Sequence, residues 1–319
     1  MEYLKIGIKL FIISFIAVVF LGKIVIPFFK KIKCGQFIRE DGPKEHLSKT
    51  GTPTMGGIMF LTVFVILALL IRIDSSMIII IISTLGFGII GFVDDYLKLF
   101  LKRNLGLTEI QKLLLQIIVI IGVCYILSRV DSSTHIIIPF INKTINLGIL
   151  YWPFVVCVFL GTTNGVNFTD GLDGLSASVT IPVCLFISFL GFFLENYSIF
   201  VSGSIFAGSL FGYLIYNSYK ASVFMGDTGS LAIGGFVSAC MIIFHMEMYI
   251  LIIGIIYLIE VLSVIIQVGS YKLRKGKRVF KMAPIHHHFE ALGYNETKIV
   301  VSFTAITVIF CLFAVLSLI

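Results

Sequence analysis

The chain has 319 residues, of which 58% are hydrophobic and 13% charged, with a formal net charge of +7. Its mean hydropathy is +1.06. Soluble domains are about 45–50% apolar and about a quarter charged, so a water-soluble globular fold is excluded and lipid is the expected solvent.

Apolar segments run throughout, which predicts one integral membrane domain over residues 1–319. A helix needs roughly 20 apolar residues to cross the hydrocarbon core. Ten candidate spans follow in chain order: 4–29, 56–73, 76–93, 113–129, 148–162, 175–194, 198–217, 229–245, 249–270 and 299–319. Runs such as Met77–Ser83 do not alternate, so they do not read as barrel strands. The expected fold class is therefore an all-α polytopic membrane protein. The first segment has too long an apolar stretch for a signal peptide and no small-x-small cleavage site, so it is expected to remain as an anchor. Five of the six cysteines fall inside spans and none forms a CxxC pair, which makes them small apolar packing residues.

The odd-numbered gaps between spans hold eighteen of the 24 Lys and Arg residues. The positive-inside rule puts these gaps in the cytoplasm and both termini outside. The net charge is this asymmetry together with contact to anionic lipid. No basic face with base-stacking aromatics stands out, so no nucleic-acid partner is expected. Asp94, Asp95, Asp170, Asp173, Asp227 and His286, His287 and His288 all fall in the inward gaps. That one-sided distribution predicts an active site at the cytoplasmic surface of the membrane.

Five segments carry the chemistry. At the end of the third span, Asp94-Asp95-Tyr96-Leu97-Lys98 puts Asp94 and Lys98 four apart on one helical face, with Asp95 turned about 100° away. Ionisable groups at membrane depth are costly and usually functional, and adjacent carboxylates can hold a divalent cation or act as a base. The 164–174 loop, read between the fifth and sixth spans, contains Asn164, Asn167, Asp170 and Asp173, with glycines that let a ligand approach the backbone. Its spacing is not that of an EF-hand. Phe224-Met225-Gly226-Asp227-Thr228-Gly229-Ser230 precedes the eighth span. Asp227 there either caps that helix or helps seat a phosphate or its metal. Residues 283–290 contain the His286-His287-His288 triplet, whose side chains diverge too far for one tripodal zinc site but suit a phosphate or nucleotide. Gly42–Gly57 is a turn-rich loop in which Lys49 and threonine hydroxyls such as Thr54 can reach phosphates. It has neither a Walker A nor a GxGxxG pattern. Glu260, inside the ninth span, has no role that its sequence context assigns.

Taken in this order, the five segments resemble the phospho-N-acetylmuramoyl-pentapeptide transferase branch of the polyprenyl-phosphate N-acetylhexosamine-1-phosphate transferases. The resemblance runs from Gly42 to the last span. The aspartate motifs belong to the wider superfamily, while Pro284–His288 and Lys49–Gly57 look specific to the branch. The resemblance implies transfer of phospho-MurNAc-pentapeptide from UDP-MurNAc-pentapeptide to undecaprenyl phosphate, giving lipid I and UMP. It also implies a Mg²⁺ requirement, a homodimer, and a small hairpin within the outward segment 130–147. By the same resemblance, Asp227 is the metal ligand, Asp94 orients or deprotonates the lipid phosphate, and Asp95 supports it. Lys49 and Lys98 hold phosphate charge. Asn167, Asp170, Asp173, Asn217 and Phe224 line the uridine and diphosphate region, and His286 and His287 contact phosphate or sugar. Thr54, Asn164 and His288 complete the substrate-binding set. The competing expectations are a transferase using UDP-GlcNAc and, as a non-enzyme, a secondary transporter. The His triplet weighs against the first, and the one-sided acids and the lack of a repeat between the halves weigh against the second.

Overall fold

The computed structural model describes residues 2–32, 51–71, 73–101, 106–141 and 143–319. In chain order the helices are α1 (Glu2–Lys31), α2 (Gly57–Leu69), α3 (Ser75–Phe100) and α4 (Glu109–Val130). A two-stranded hairpin follows, β1 (His135–Ile138) and β2 (Lys143–Asn146). Then come α5 (Tyr151–Thr169), α6 (Leu175–Phe193), α7 (Tyr197–Asn217), α8 (Gly226–Ile242), α9 (Ile250–Ile253), α10 (Ile255–Leu273), α11 (Ile285–Ala291) and α12 (Glu296–Leu316). The strands pair antiparallel, with His135 opposite Asn146 and Ile138 opposite Lys143, which places the expected hairpin in the segment 130–147.

Among the described residues, eight helices are long and apolar enough to cross a membrane. α2 and α8 are shorter, at 13 and 17 residues. α8 is buried almost throughout and packs against α3, α5 and α2. A helix surrounded by protein need not match the thickness of the bilayer. The outer helices behave differently. Ile8, Ile12, Ile16, Phe20 and Ile24 of α1 are exposed at i,i+4 spacing, an apolar stripe suited to an apolar surrounding and not to water.

Inside the bundle, small residues and hydroxyls accompany aromatic packing such as Phe206 on Phe236. The Ser188 hydroxyl donates to the Phe200 carbonyl and meets Ser204 at 2.7 Å, and Ser83 donates to the Gly235 carbonyl. Such contacts are the usual glue between membrane helices. The backbones of α2 and α8 touch at Gly57 and Gly229, where a Cβ on Gly57 would lie 2.4 Å from the Gly229 backbone.

Several spans differ in their bounds from the sequence expectation, and three of the differences bear on the site. α3 runs to Phe100, so Asp94, Asp95 and Lys98 lie on a continuous helix. α5 runs to Thr169, so Asn164 and Asn167 are helical and only residues 170–174 form a loop. The ninth span is interrupted at Gly254, between α9 and α10, glycine being a common site of helix breaks.

Candidate active site

Asp94, Asp95, Lys98, Asn167 and Asp227 gather at one end of the bundle, around the first turn of α8. Tyr3 packs on Tyr197 and Ser317 hydrogen-bonds Tyr249, so both ends of the described chain lie at the opposite end of the bundle.

The last turns of α3 deliver the first carboxylates. Asp94 pairs with Lys98 at 2.5 Å and accepts from the Leu107 backbone N–H at 2.8 Å. Asp95 points to the other side, as the helical period requires. It accepts from the backbone N–H groups of Asp227 (3.1 Å) and Thr228 (2.9 Å) and from the Thr228 hydroxyl (2.7 Å). Asp227 therefore does not cap α8. The N-cap position is Met225, which makes no side-chain cap, and Asp95 satisfies the orphan N–H groups of the first turn from a neighbouring helix. A side chain at Gly226, whose φ is +74°, would collide with that carboxylate.

The capping frees the Asp227 carboxylate for other partners. Oδ2 takes Lys112 Nζ at 2.8 Å and Lys98 Nζ at 3.1 Å, and Oδ1 accepts from Asn167 Nδ2 at 2.8 Å. The same amide reaches Ser230 Oγ at 2.9 Å. Asp94, Asp95 and Asp227 each offer a carboxylate oxygen, and the three oxygens lie within 4.8 Å of one another. Clustered hard oxygen donors fit Mg²⁺, which takes few carboxylates and completes its shell with water and phosphate oxygens. Lys98 and Lys112 offset the charge that gathers on these carboxylates.

A strap before α2 closes one side of the site. Phe224 N–H donates to the Pro53 carbonyl, Gly56 N–H to the Phe224 carbonyl and Gly57 N–H to the Met225 carbonyl. This seats buried Thr54 beside Gly226 and leaves Phe224 half-buried. Lys49 lies outside the described residues.

The 170–174 loop forms the next wall. Asp170 is half-buried, and its carboxyl is pushed well above the usual range by burial first, then by the charges of Asp227 and Asp95. Asp173 accepts from the Ala221 N–H at 2.9 Å, and its own N–H donates to Glu296 at 2.6 Å. Asn167 and Asp173 thus turn to different partners, because the helix ends between them. Asn217 donates to the Val223 carbonyl and closes the 218–225 turn. Asn164 donates one turn back to the Leu160 carbonyl. In this state both amides serve the backbone.

The histidines diverge less than expected: the His286 and His287 rings pack together with centroids 4.1 Å apart, and only His288 turns away. His286 is buried, with its ring edge against Gly171. His287 Nδ1 meets Glu290 at 2.6 Å. His288 Nδ1 accepts from the Lys281 N–H and its ring packs on Phe280, so it anchors the preceding loop.

Sequence reasoning gave no individual role to Lys112, Thr228, Ser230 or Glu296. One signal for Lys112 was present. Thr108 and Gln111 form a capping box, which starts α4 early and puts Lys112 on its first turn.

Fold and site together define an integral-membrane transferase. Residues 77–245 match Glycosyl transferase family 4, and residues 49–61 match signature 1 of phospho-N-acetylmuramoyl-pentapeptide-transferase. The phospho-N-acetylmuramoyl-pentapeptide-transferase of Clostridium novyi (strain NT) is 49% identical over 312 residues, covering 97% of this chain and 95% of its own. That of Clostridium perfringens (strain 13 / Type A) is 48% identical over 309 residues, covering 96% and 97%. The chain belongs to the phospho-N-acetylmuramoyl-pentapeptide transferase family.

Proposed function

We propose that the chain transfers phospho-MurNAc-pentapeptide from UDP-MurNAc-pentapeptide to undecaprenyl phosphate, forming lipid I and releasing UMP, at the cytoplasmic face of the bacterial membrane. The supporting observation is the convergence of Asp94, Asp95, Asp227, Lys98 and Lys112 at one end of a membrane bundle, in a chain of this family. The donor is soluble and polyanionic and the acceptor is lipid-borne, so the reaction belongs where a bundle meets water. The inward placement rests on the asymmetry of Lys and Arg. A homodimer is part of the same proposal.

Phosphoryl transfer is catalysed mainly by positioning and charge neutralisation. Bound Mg²⁺, held by Asp227 with the neighbouring carboxylates, would supply charge neutralisation at the diphosphate. In the one-step scheme an oxygen of the lipid phosphate attacks the phosphorus that carries the sugar, and the bond to the bridging oxygen breaks as UMP leaves. Asp94 orients that phosphate or takes its proton. Lys98, Lys112 and Lys49 hold phosphate charge. Asn167, Asp170, Asp173, Asn217 and Phe224 border the uridine and diphosphate, with Thr54 and Asn164 behind them, and His286 and His287 meet phosphate or sugar.

The test is UMP release by purified protein in detergent with polyprenyl phosphate and Mg²⁺, with UDP-MurNAc-pentapeptide and UDP-GlcNAc run side by side and Asp227→Asn as control. Release from the muramoyl donor alone, lost in Asp227→Asn, is the expected result. Release from UDP-GlcNAc instead moves the chain to another transferase branch. Labelled phospho-sugar trapped on the protein without acceptor would replace the one-step scheme with a covalent aspartyl intermediate.

A further inference from the structure

Glu260 is the most completely buried carboxylate of the described chain that the proposed chemistry does not use. It sits in α10 with 0% exposure, and His286 beside it has 1%. A carboxylate enclosed at that depth is costly unless donors meet it. The donors come from the start of α11. The Ile285 backbone N–H donates to Glu260 Oε2 at 3.0 Å, and His286 Nδ1 lies 3.1 Å from Oε1. The second contact is a close approach that is not a formed hydrogen bond, a looseness common before substrate binds.

The two ring nitrogens have different neighbours. Neither makes a hydrogen bond among the described residues, but Nδ1 lies beside Glu260 Oε1. Nε2 faces Gly171, where an added Cβ would lie 2.2 Å from it. Gly171 belongs to the 170–174 loop that borders the carboxylate cluster, next to Asp170. One ring nitrogen thus lies beside a buried carboxylate, and the other is enclosed against Gly171 at the edge of that loop. A carboxylate behind a functional histidine usually fixes its tautomer and ring orientation.

We infer that Glu260 is a positioning residue. It clamps the start of α11 through Ile285 and holds the proton of His286 on Nδ1, so that Nε2 is presented beside Gly171 to the donor substrate. The inference rests on the proposed reading of this site as the donor-binding site. Glu260 touches no reacting atom, and its effect passes through His286.

The experiment uses full-length protein in detergent with the variants Glu260→Gln, Glu260→Leu, His286→Asn and the double variant Glu260→Gln/His286→Asn. Glutamine keeps the acceptor for Ile285 N–H but offers an amide donor to Nδ1, so it reverses the tautomer without emptying the pocket. In Glu260→Gln, kcat/KM for the donor is expected to fall about 10- to 100-fold. In the His286→Asn background the same change is expected to stay within about twofold. An equal loss in both backgrounds, or no loss with His286 present, overturns the inference. A second readout does not depend on turnover: ¹⁵N imidazole NMR of histidine-labelled protein. One ring, identified by its disappearance in His286→Asn, should carry its proton on Nδ1 in the unsubstituted chain. It should move to Nε2 in Glu260→Gln and lose its single tautomer in Glu260→Leu. A ring indifferent to both variants refutes the coupling even if activity is too low to measure. Failure of the functional reading shows separately, as absent UMP release by the unsubstituted chain.

Discussion

Lys112 Nζ lies 2.8 Å from Asp227 Oδ2, joining the first turn of α4 to the first turn of α8. Both side chains are mostly buried, and Lys98 reaches the same oxygen from α3 at 3.1 Å. Two ammonium groups converging on one carboxylate oxygen form a preorganised site for phosphate charge, which is worth most where water is excluded. Lys112→Met is expected to lower kcat/KM about 100-fold while the protein stays folded, because Lys98 still pairs with Asp227. Initial rates of UMP release check the first statement and the unfolding midpoint in detergent the second. An unchanged rate would remove Lys112 from the phosphate site.

Asp94 and Asp95 are neighbours with different work. Asp95 is spent on the N–H groups and hydroxyl of the first turn of α8, whereas Asp94 faces Lys98 and the site. Asp95→Ala therefore removes a helix cap supplied from another helix. It is expected to cost about 1 kcal/mol of stability together with activity, since Asp227 loses its support. Asp94→Asn should abolish turnover with little change in midpoint. Thermal unfolding beside UMP release separates the two. Equal effects on stability would contradict the division of labour.

Close packing sets the position of Asp227 as firmly as hydrogen bonds do. A Cβ on Gly91 of α3 would lie 2.0 Å from the Asp227 carbonyl, and backbone cannot give way as a side-chain tip can. Gly91→Ala is expected to destabilise by about 1–3 kcal/mol and to depress turnover by displacing Asp227 from Lys112. The paired readout is a lowered midpoint with a lowered kcat. Retention of both would show that α3 and α8 can separate without cost.

How far the site could be read from sequence depended on geometry within single helices. The opposed directions of Asp94 and Asp95, and the pairing of Asp94 with Lys98, follow from 100° per residue, and the structure has both. The ends of the helices were harder to read. Asn164–Thr169 looks like a loop by composition, yet α5 continues because Gly165 lets it pack against the Tyr257 backbone of α10, a tertiary effect invisible in a local window. Lys112 was missed for the converse reason, a helix start taken too late. The partner of Glu260 is 25 residues away and depends on how the intervening chain folds back, which no periodicity encodes.

At the far end, Asp131 accepts from His245 Nε2 at 3.0 Å and from the Ser133 N–H at 2.8 Å. These bonds, the His245 one foremost, hold its carboxyl below its usual value of 3.8. A depressed carboxylate adds stability above its unfolded pKa and loses it as pH falls through the folded one. The contribution is therefore complete at neutral pH and fades below about pH 4. Asp131→Asn should flatten the acid limb of the unfolding midpoint in that window and leave UMP release at neutral pH unchanged, since the pair lies at the other end of the bundle. A midpoint curve identical to that of the unsubstituted chain would mean the exposed pair contributes nothing measurable.

The carboxylate triad gives a prediction about the metal that does not require turnover. A ligand that binds only the folded state raises its stability by mass action. Mg²⁺ should therefore raise the unfolding midpoint of the unsubstituted chain, and chelator should reverse the shift and stop UMP release. Asp227→Asn keeps Asp94 and Asp95 but removes the oxygen charge that both lysines share, so its midpoint should no longer respond to Mg²⁺. Asp95→Asn separates capping from ligation. If Asp95 only caps α8, that variant starts from a lower midpoint yet still shifts with Mg²⁺. A lost response would make Asp95 a ligand as well. A Mg²⁺ shift of equal size in Asp227→Asn would place the cation elsewhere on the molecule and leave the three carboxylates with a purely structural and electrostatic role.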